Sequence, residues 1–369
     1  MENKYDYLIV GAGVYGVTCA RELTDLGFKC LVIDKRHHIA GNCYTEKVNN
    51  VDVHKYGAHI FHTGNEAVWN YVNRFAEFND FINEVTACYR GKYFNLPFNL
   101  NTFEAVFNTA DIEEIKSIIA KEVEPYKDLV ASNLEERALQ TIGKTLYETL
   151  VKGYSEKQWN MPATKIPAFI IDRIPMRWSR DNNYYNYPFQ GIPKDGYTAM
   201  FEKMLEGITV QLNVDFLANR SFFENKAKKI IYTGKIDEYF DYCHGELEYR
   251  SLTFRTELKD VVSIQQSAVV NYTEAEVPYT RAIEHKKFAK CDKNIPFSVI
   301  SYEYPADYKK GGEAYYAINN SRNNSMYEKY KEMADNSNVF FGGRLGSYKY
   351  LNMHEVFEQA LNDIPKLTV

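Results

Sequence analysis

Apolar residues follow two spacings in the first forty positions. Leu8, Ile9 and Val10 form a continuous run that suits a buried parallel strand. Val17, Ala20 and Leu23 then recur at helical spacing up to Gly27, and Lys29-Cys-Leu-Val-Ile-Asp34 reads as a second strand. Helical spacing returns at 66–78 through Val68, Tyr71, Val72 and Phe75. A hairpin is predicted from 82–89 and 92–96, with Gly91 in its turn and Pro97 closing it, and Asn101-Thr102 reads as a helix cap. Two stripes, Ile112, Ile115, Ile118 and Ile119, then Leu134, Ala138, Ile142, Leu146 and Leu150, predict a helical insert reaching about residue 172. Glu124-Pro125 and Gly143 interrupt it, and Tyr154 and Trp159 leave its last helix. An α/β pattern resumes over 194–205, 210–214 and 229–233, and strands dominate 249–316. A helix at 328–334, a strand at 338–341, a glycine turn at 342–345 and a helix after Asn352 complete the chain.

Between the first strand and helix stands Gly11-Ala-Gly13-Val-Tyr-Gly16. In such a motif Gly11 permits the turn, Gly13 lets backbone approach a pyrophosphate, and Gly16 lets the helix lie close to the sheet. The first helical N–H groups face the phosphates, and Asp34, ending the second strand, accepts from a ribose hydroxyl. The alternative is an ordinary glycine turn; the flanking strand, helix and terminal acid favour dinucleotide binding. Lys35-Arg36 and a second glycine turn, His38-Ile-Ala-Gly41-Asn42, extend the site past the acid and favour FAD over NAD. The expected fold class is α/β: a Rossmann-like FAD-binding domain (1–80, 194–240 and 335–369), a helical insert (101–172) and an antiparallel β-sheet domain (81–100, 173–193 and 241–334).

A net charge of −5 argues against a nucleic-acid partner, and the polar N-terminus and the lack of a long apolar run predict a cytoplasmic protein with no membrane partner. The cysteines Cys19, Cys30, Cys43, Cys88, Cys243 and Cys291 form no CxxC pair and read as reduced thiols. Thirty tyrosines offer stacking faces with hydroxyls, suited to sugars and bases or to half-buried filler. His54, His59 and His62 raise a metal site, but they lack i,i+4 pairing and an accompanying carboxylate or thiolate, so no metal is expected. Gly57-Ala58 suggest backbone passing close to a ligand, with His59 beside the cofactor or, alternatively, in the core. Arg173, Arg177 and Arg180 lie in a segment broken by Pro167 and Pro175 and followed by Tyr184, Tyr185 and Tyr187. Guanidinium forks bind diphosphates in a way lysine cannot copy, so an anionic, sugar-like substrate is expected. No GxSxG elbow, P-loop or HExxH helix is present, which leaves the chemistry to the cofactor.

Several further segments carry a resemblance. They are His54-Lys-Tyr-Gly-Ala-His-Ile-Phe-His-Thr63, Phe94-Asn-Leu-Pro-Phe-Asn99, Gly153-Tyr-Ser-Glu-Lys-Gln-Trp159, Arg173-Ile-Pro and Phe189-Gln-Gly-Ile-Pro193. With them go Glu248-Tyr-Arg-Ser-Leu252, Val277-Pro-Tyr-Thr-Arg281, Ile283-Glu-His-Lys286 and Gly342-Gly-Arg-Leu345. In this order they resemble the UDP-galactopyranose mutases, from Tyr5 to the last helix. The resemblance implies an isomerase that interconverts the pyranose and furanose forms of a UDP-linked galactose, supplying furanose donor for surface glycans. FAD must be reduced though the reaction is redox-neutral; N5 attacks the anomeric carbon, UDP leaves, and the sugar recloses from a flavin adduct. An external reductant such as NAD(P)H and a homodimer are implied too.

Carried over by position, Arg173 and Arg281 would hold the diphosphate, Arg173 from a mobile loop, with His59 near the flavin ring. Tyr154 and Trp159 would flank the uridine or that loop, Tyr184, Tyr315 and Tyr350 the diphosphate, and Asn83, Arg250 and Asn271 would shape the pocket. FAD would be held by Gly11, Gly13, Gly16, Asp34, Lys35, Gly41, Asn42, His59, Ile60, Arg344, Tyr350 and Met353. The chain departs from the family pattern at Ala314 and Ala317, where prolines are usual, at Asn352, where aspartate is usual, and at Cys243-His244, which replace an Arg-Phe pair. The first two leave open an N-acetylated, deoxy or differently activated sugar. An amine-oxidase-like flavin oxidoreductase and a non-catalytic nucleotide-sugar sensor are the readings outside the mutase class.

Overall fold

The apolar run at the N-terminus is a fully paired strand. Tyr5–Val10 lies between Ala227–Tyr232 and Cys30–Ile33, parallel to both. Val339–Phe341 and Thr209–Gln211 complete a five-stranded parallel sheet with these three. Leu8 and Ile9 are completely buried, which accounts for a continuous run rather than an alternating one. Leu31, Ile33, Phe216, Phe223, Ile230 and Tyr239 pack with Leu8 in one core. Helix Val14–Asp25 packs against the last helix, Met353–Leu367, and Tyr15 Oη donates to Asp363 Oδ2 at 2.9 Å. The strands Tyr5–Val10, Cys30–Ile33, Ala227–Tyr232 and Val339–Phe341 all end on one edge, which therefore collects Gly11, Asp34, Thr233 and Gly342. Ligands of open parallel sheets bind at such an edge.

This computed structural model describes residues 4–289 and 295–368, and Cys291 lies outside them. The chain folds into two compact units, Met1–Asp80 with Tyr187–Tyr249 and Ala314–Val369, and Phe81–Asn186 with Arg250–Glu313. The sequence pattern predicts three domains. The helical insert and the second sheet instead fall in one unit, while 187–193, 241–249 and 314–334 group with the parallel sheet. Among the described residues no helix is long and apolar enough to cross a membrane.

In the second unit the sheet runs Tyr249–Lys259, Ser298–Asp307, Arg281–Glu284, Val269–Tyr272, Val85–Tyr89, Lys92–Leu96. It is antiparallel except where Val269–Tyr272 pairs in parallel with Val85–Tyr89. Antiparallel register carries Asn271 opposite Arg281 and Arg281 opposite Glu303. Directly opposed residues point to the same face, so these three side chains stand in a row. The insert is helical at Ile112–Val123 and Leu134–Thr141, and Leu134, Ala138, Ile142, Leu146 and Leu150 are all buried.

Three local expectations change. The first helix of the insert is Leu100–Phe107, and its cap is Asn99, not Asn101-Thr102; Asn99 Oδ1 accepts from Thr102 N at 3.0 Å. Thr102 occupies the third helical position and answers with its own hydroxyl, a reciprocal pair that the Asn-x-x-Thr spacing permits. Tyr154 and Trp159 lie within a helix, Lys152–Trp159, which ends at Asn160 in left-handed geometry. The glycine turn at 342–345 opens a short helix, Gly343–Gly346.

Candidate active site

Gly11 has φ +111°, and a side chain there would strike Thr233 Oγ1. A methyl on Gly16 would lie 2.0 Å from Gly11 O, so the helix packs on the turn without room for any side chain. A methyl on Gly41 would lie 2.9 Å from Gly13 Cα, so the two glycine turns touch. Helix Val14–Asp25 has neither a side-chain cap nor an acid in its first turn, which leaves its leading N–H groups to an anion. Asp34 is 9% exposed; Oδ2 accepts from Ala12 N at 2.7 Å and Oδ1 from Arg36 N at 2.8 Å. Each carboxylate oxygen retains acceptor capacity. Lys35 is exposed, whereas Arg36, absent from the predicted set, donates to Asn42 Oδ1 at 3.0 Å and lies 4.6 Å over the Tyr56 ring.

Cys43 Sγ sits 3.7 Å from Met353 Sδ, which joins the Gly41–Asn42 turn to the start of the last helix. Burial pushes the Cys43 thiol up to about 12, so it is inert. Arg344 donates to Tyr315 O at 2.8 Å and lies 5.3 Å from the Tyr350 ring and 5.7 Å from that of Tyr316. The structure thus brings Arg344, Tyr315 and Tyr350 together, with Tyr316 as an added face for the cation. His59 Nδ1 meets Gly57 O at 2.8 Å, and His59 N donates to His54 Nδ1 at 3.1 Å. Ile60 is buried beside it.

The sequence gives little sign of His354. It is buried on the second position of the last helix, with its ring 5.0 Å from His62 and 5.3 Å from Tyr187. Desolvation lowers the pKa of His354, as it does that of His38. Both give up their protons more readily in the folded chain than in the unfolded one. As pH falls below the ordinary 6.5, the unfolded chain takes up protons that the native chain does not, so stability is present above that pH and lost beneath it. Melting temperature is expected to drop between pH 7.5 and 5.5, with a smaller drop in His354→Leu; equal drops in both proteins would count against this role.

The second unit builds a polar cluster around Arg281. Arg281 donates through Nη2 to Tyr154 Oη at 2.8 Å and through Nε to Asn271 Oδ1 at 3.2 Å. Its Nη1 reaches Glu303 Oε2 at 3.4 Å, and Glu303 is 1% exposed. Arg250 is buried and is engaged by Gln158 O and Asp307, so it anchors the end of the Tyr154 helix. Trp159 is buried at that end. Tyr184 N donates to Asn83 O at 2.8 Å, which puts those two residues side by side. Arg173 is exposed at the end of Ala168–Arg173, a turn tied down through Asp172 to Arg137 at 3.0 Å.

Glu303 was not predicted. It sits in a strand 22 residues after Arg281, and only the register sets the two opposite each other. Glu303→Gln keeps the shape but removes the charge. It is expected to weaken binding of UDP, the diphosphate ligand that the resemblance implies, roughly tenfold, about the difference between a charge-assisted and a neutral hydrogen bond. Titration with UDP checks this, and an unchanged Kd would contradict it.

A model of the UDP-galactopyranose mutase family matches residues 149–350, more than half of the chain. The chain belongs to the UDP-galactopyranose mutase family. A model described as an NAD(P)-binding Rossmann-like domain matches residues 9–75. A Klebsiella pneumoniae protein named "Probable UDP-galactopyranose mutase" is 40% identical over 98% of this chain and 94% of its own. An Escherichia coli dTDP-fucopyranose mutase is 36% identical over 96% of each. A crystal structure of reduced UDP-galactopyranose mutase superposes with TM-score 0.75 at 14% identity, over 99% of this chain and 95% of that one, which shows the fold. The chain is therefore an isomerase of the mutase family, with its glycine turns inside the Rossmann-like match and its Arg281 cluster inside the mutase match.

Proposed function

We propose that this enzyme interconverts UDP-galactopyranose and UDP-galactofuranose with reduced FAD, and so provides furanose donor for surface glycans. The observation that carries the reading is the Arg281 cluster. A guanidinium held by Tyr154, Asn271 and buried Glu303 is preset for a diphosphate, so little ordering is required when substrate binds. Arg173 is assigned to the same diphosphate.

The residues at the sheet edge fit FAD. The uncapped helix N-terminus and the touching Gly13 and Gly41 leave a cradle that side chains would fill, and Asp34 keeps acceptors for ribose hydroxyls. Gly11, Gly16, Lys35 and Asn42 belong to this cradle, while His59, Ile60, Arg344, Tyr350 and Met353 are assigned to the rest of the cofactor. Reduced FAD supplies the nucleophile that no side chain of this set offers. Arg281 neutralises charge on the departing diphosphate and holds it for return, while Tyr154, Trp159, Tyr184 and Tyr315 orient the nucleotide. We assign the reaction to the cytoplasm, NAD(P)H as reductant and a homodimer as the assembly.

A second reading, a dTDP-activated sugar, is favoured by the likeness to dTDP-fucopyranose mutase and by Ala314, Ala317 and Asn352 near the tyrosines. Reduced, flavin-loaded enzyme offered UDP-galactopyranose and dTDP-fucopyranose separately is expected to turn over the UDP sugar faster. The reverse order would reassign the substrate.

A further inference from the structure

Tyr154 and Lys157 are three residues apart on helix Lys152–Trp159 and share a face. Lys157 Nζ donates to three carbonyls, Tyr272 O at 2.8 Å, Val277 O at 2.9 Å and Tyr279 O at 3.1 Å. An ammonium has three N–H donors, and all three are used. The acceptors span the loop between strands Val269–Tyr272 and Arg281–Glu284, so the loop that joins Asn271 to Arg281 is wrapped around one charge. Backbone packing seats the same loop on the helix. A methyl on Gly153 would lie 2.3 Å from Thr273 O, and Thr273 Oγ1 donates to Thr149 O at 2.8 Å. Arg281 closes the circuit by donating to Tyr154 Oη.

We propose that Lys157 is a positioning residue for nucleotide binding, acting through this loop to set Asn271 and Arg281, and that its protonation makes nucleotide affinity dependent on pH. The inference rests on the reading of Arg281 as a diphosphate residue. Burial brings the Lys157 ammonium down to about 8, against the pull of Glu274 and Glu276 on the loop. The neutral amine keeps two donors and turns a lone pair toward the third carbonyl, so one contact becomes repulsive.

Besides Glu274 and Glu276, the titratable groups on this helix, loop and the strands packed with them include Lys152, Glu156, Cys88, Tyr93, Tyr154, Tyr272, Tyr279, Tyr302, Tyr304, the Arg281–Glu303 pair and the Arg250–Asp307 pair. Burial moves Cys88, Tyr272 and Tyr279 upward, and the hydrogen bonds from Asn160 and Arg250 move Asp307 downward. The second ionisation of a terminal phosphate lies near 6, so UDP is almost fully charged above about pH 7.5 and its own titration does not contribute to a change near 8.

The test titrates UDP itself into oxidised, flavin-loaded protein from pH 6.5 to 9.5. Wild-type affinity is expected to fall roughly three- to tenfold as pH rises through about 8, the effect of losing one buried hydrogen bond. Lys157→Met is expected to bind weakly and equally at all these pH values, and Lys157→Arg, which stays charged, to hold its affinity above pH 8. Wild-type affinity that is flat across the range would overturn the inference, as would Lys157→Met binding like wild type. The wild-type titration decides alone if either variant loses its flavin. Wild type that binds no UDP at any pH would instead overturn the reading of Arg281.

Discussion

Lysine at position 281 is expected to reduce turnover of the nucleotide sugar by roughly 100-fold or more. Arg281 makes directed contacts to Tyr154, Asn271 and Glu303, and a planar fork can keep them while presenting N–H groups to a diphosphate. A lysine ammonium is a point charge on a flexible stem, so it either pairs with buried Glu303 or reaches for substrate. Truncating one member of a hydrogen-bonded charge pair costs about 2–5 kcal/mol, and each 1.36 kcal/mol is tenfold in rate. The loss should appear in kcat/KM with flavin content unchanged, because Arg281 and the glycine turns belong to different units. An oxidoreductase acting on an uncharged amine would tolerate the change. Near-normal turnover in Arg281→Lys would therefore remove the diphosphate from the account.

Gly16→Ala is expected to yield colourless protein. The added methyl would meet Gly11 O at 2.0 Å and Ile9 Cγ2 at 3.0 Å, both fixed by the first strand and turn. The helix must move outward, which displaces the N–H groups assigned above to the pyrophosphate. Overpacking of this kind costs about 1–3 kcal/mol, before the lost flavin contacts are counted. Flavin absorbance per protein and melting temperature are the readouts. A fully yellow Gly16→Ala with wild-type melting would mean that the helix is not held to the turn as described.

The glycine turn was legible because its requirements are local. Gly11, Gly13, Gly16 and Asp34 are separated by a few residues and one helix, and strand, turn and helix signals agree there. The return of the chain to the parallel sheet was legible too, since 229–233 carries the same apolar run as Leu8 to Val10. What escaped depends on register and packing between distant segments. Nothing near Glu303 marks it as the partner of Arg281, and nothing near His354 announces His62 and Tyr187 beside it. Local errors had local causes. Asn99 and Asn101 are both competent caps, and the reciprocal contact with Thr102 selects Asn99. The three-domain division followed changes of pattern, whereas the helical insert packs with the second sheet through contacts such as those of Lys157, Thr273 and Arg281.

The most direct measurement mixes dithionite-reduced, flavin-loaded enzyme with UDP-galactofuranose and resolves the nucleotide sugars by chromatography, with oxidised enzyme alongside. A redox-neutral reaction that needs reduced flavin predicts UDP-galactopyranose in the reduced sample, none in the oxidised one, and no net consumption of reductant per turnover. Equal conversion in both samples, or stoichiometric oxidation of the flavin with each sugar converted, would contradict it.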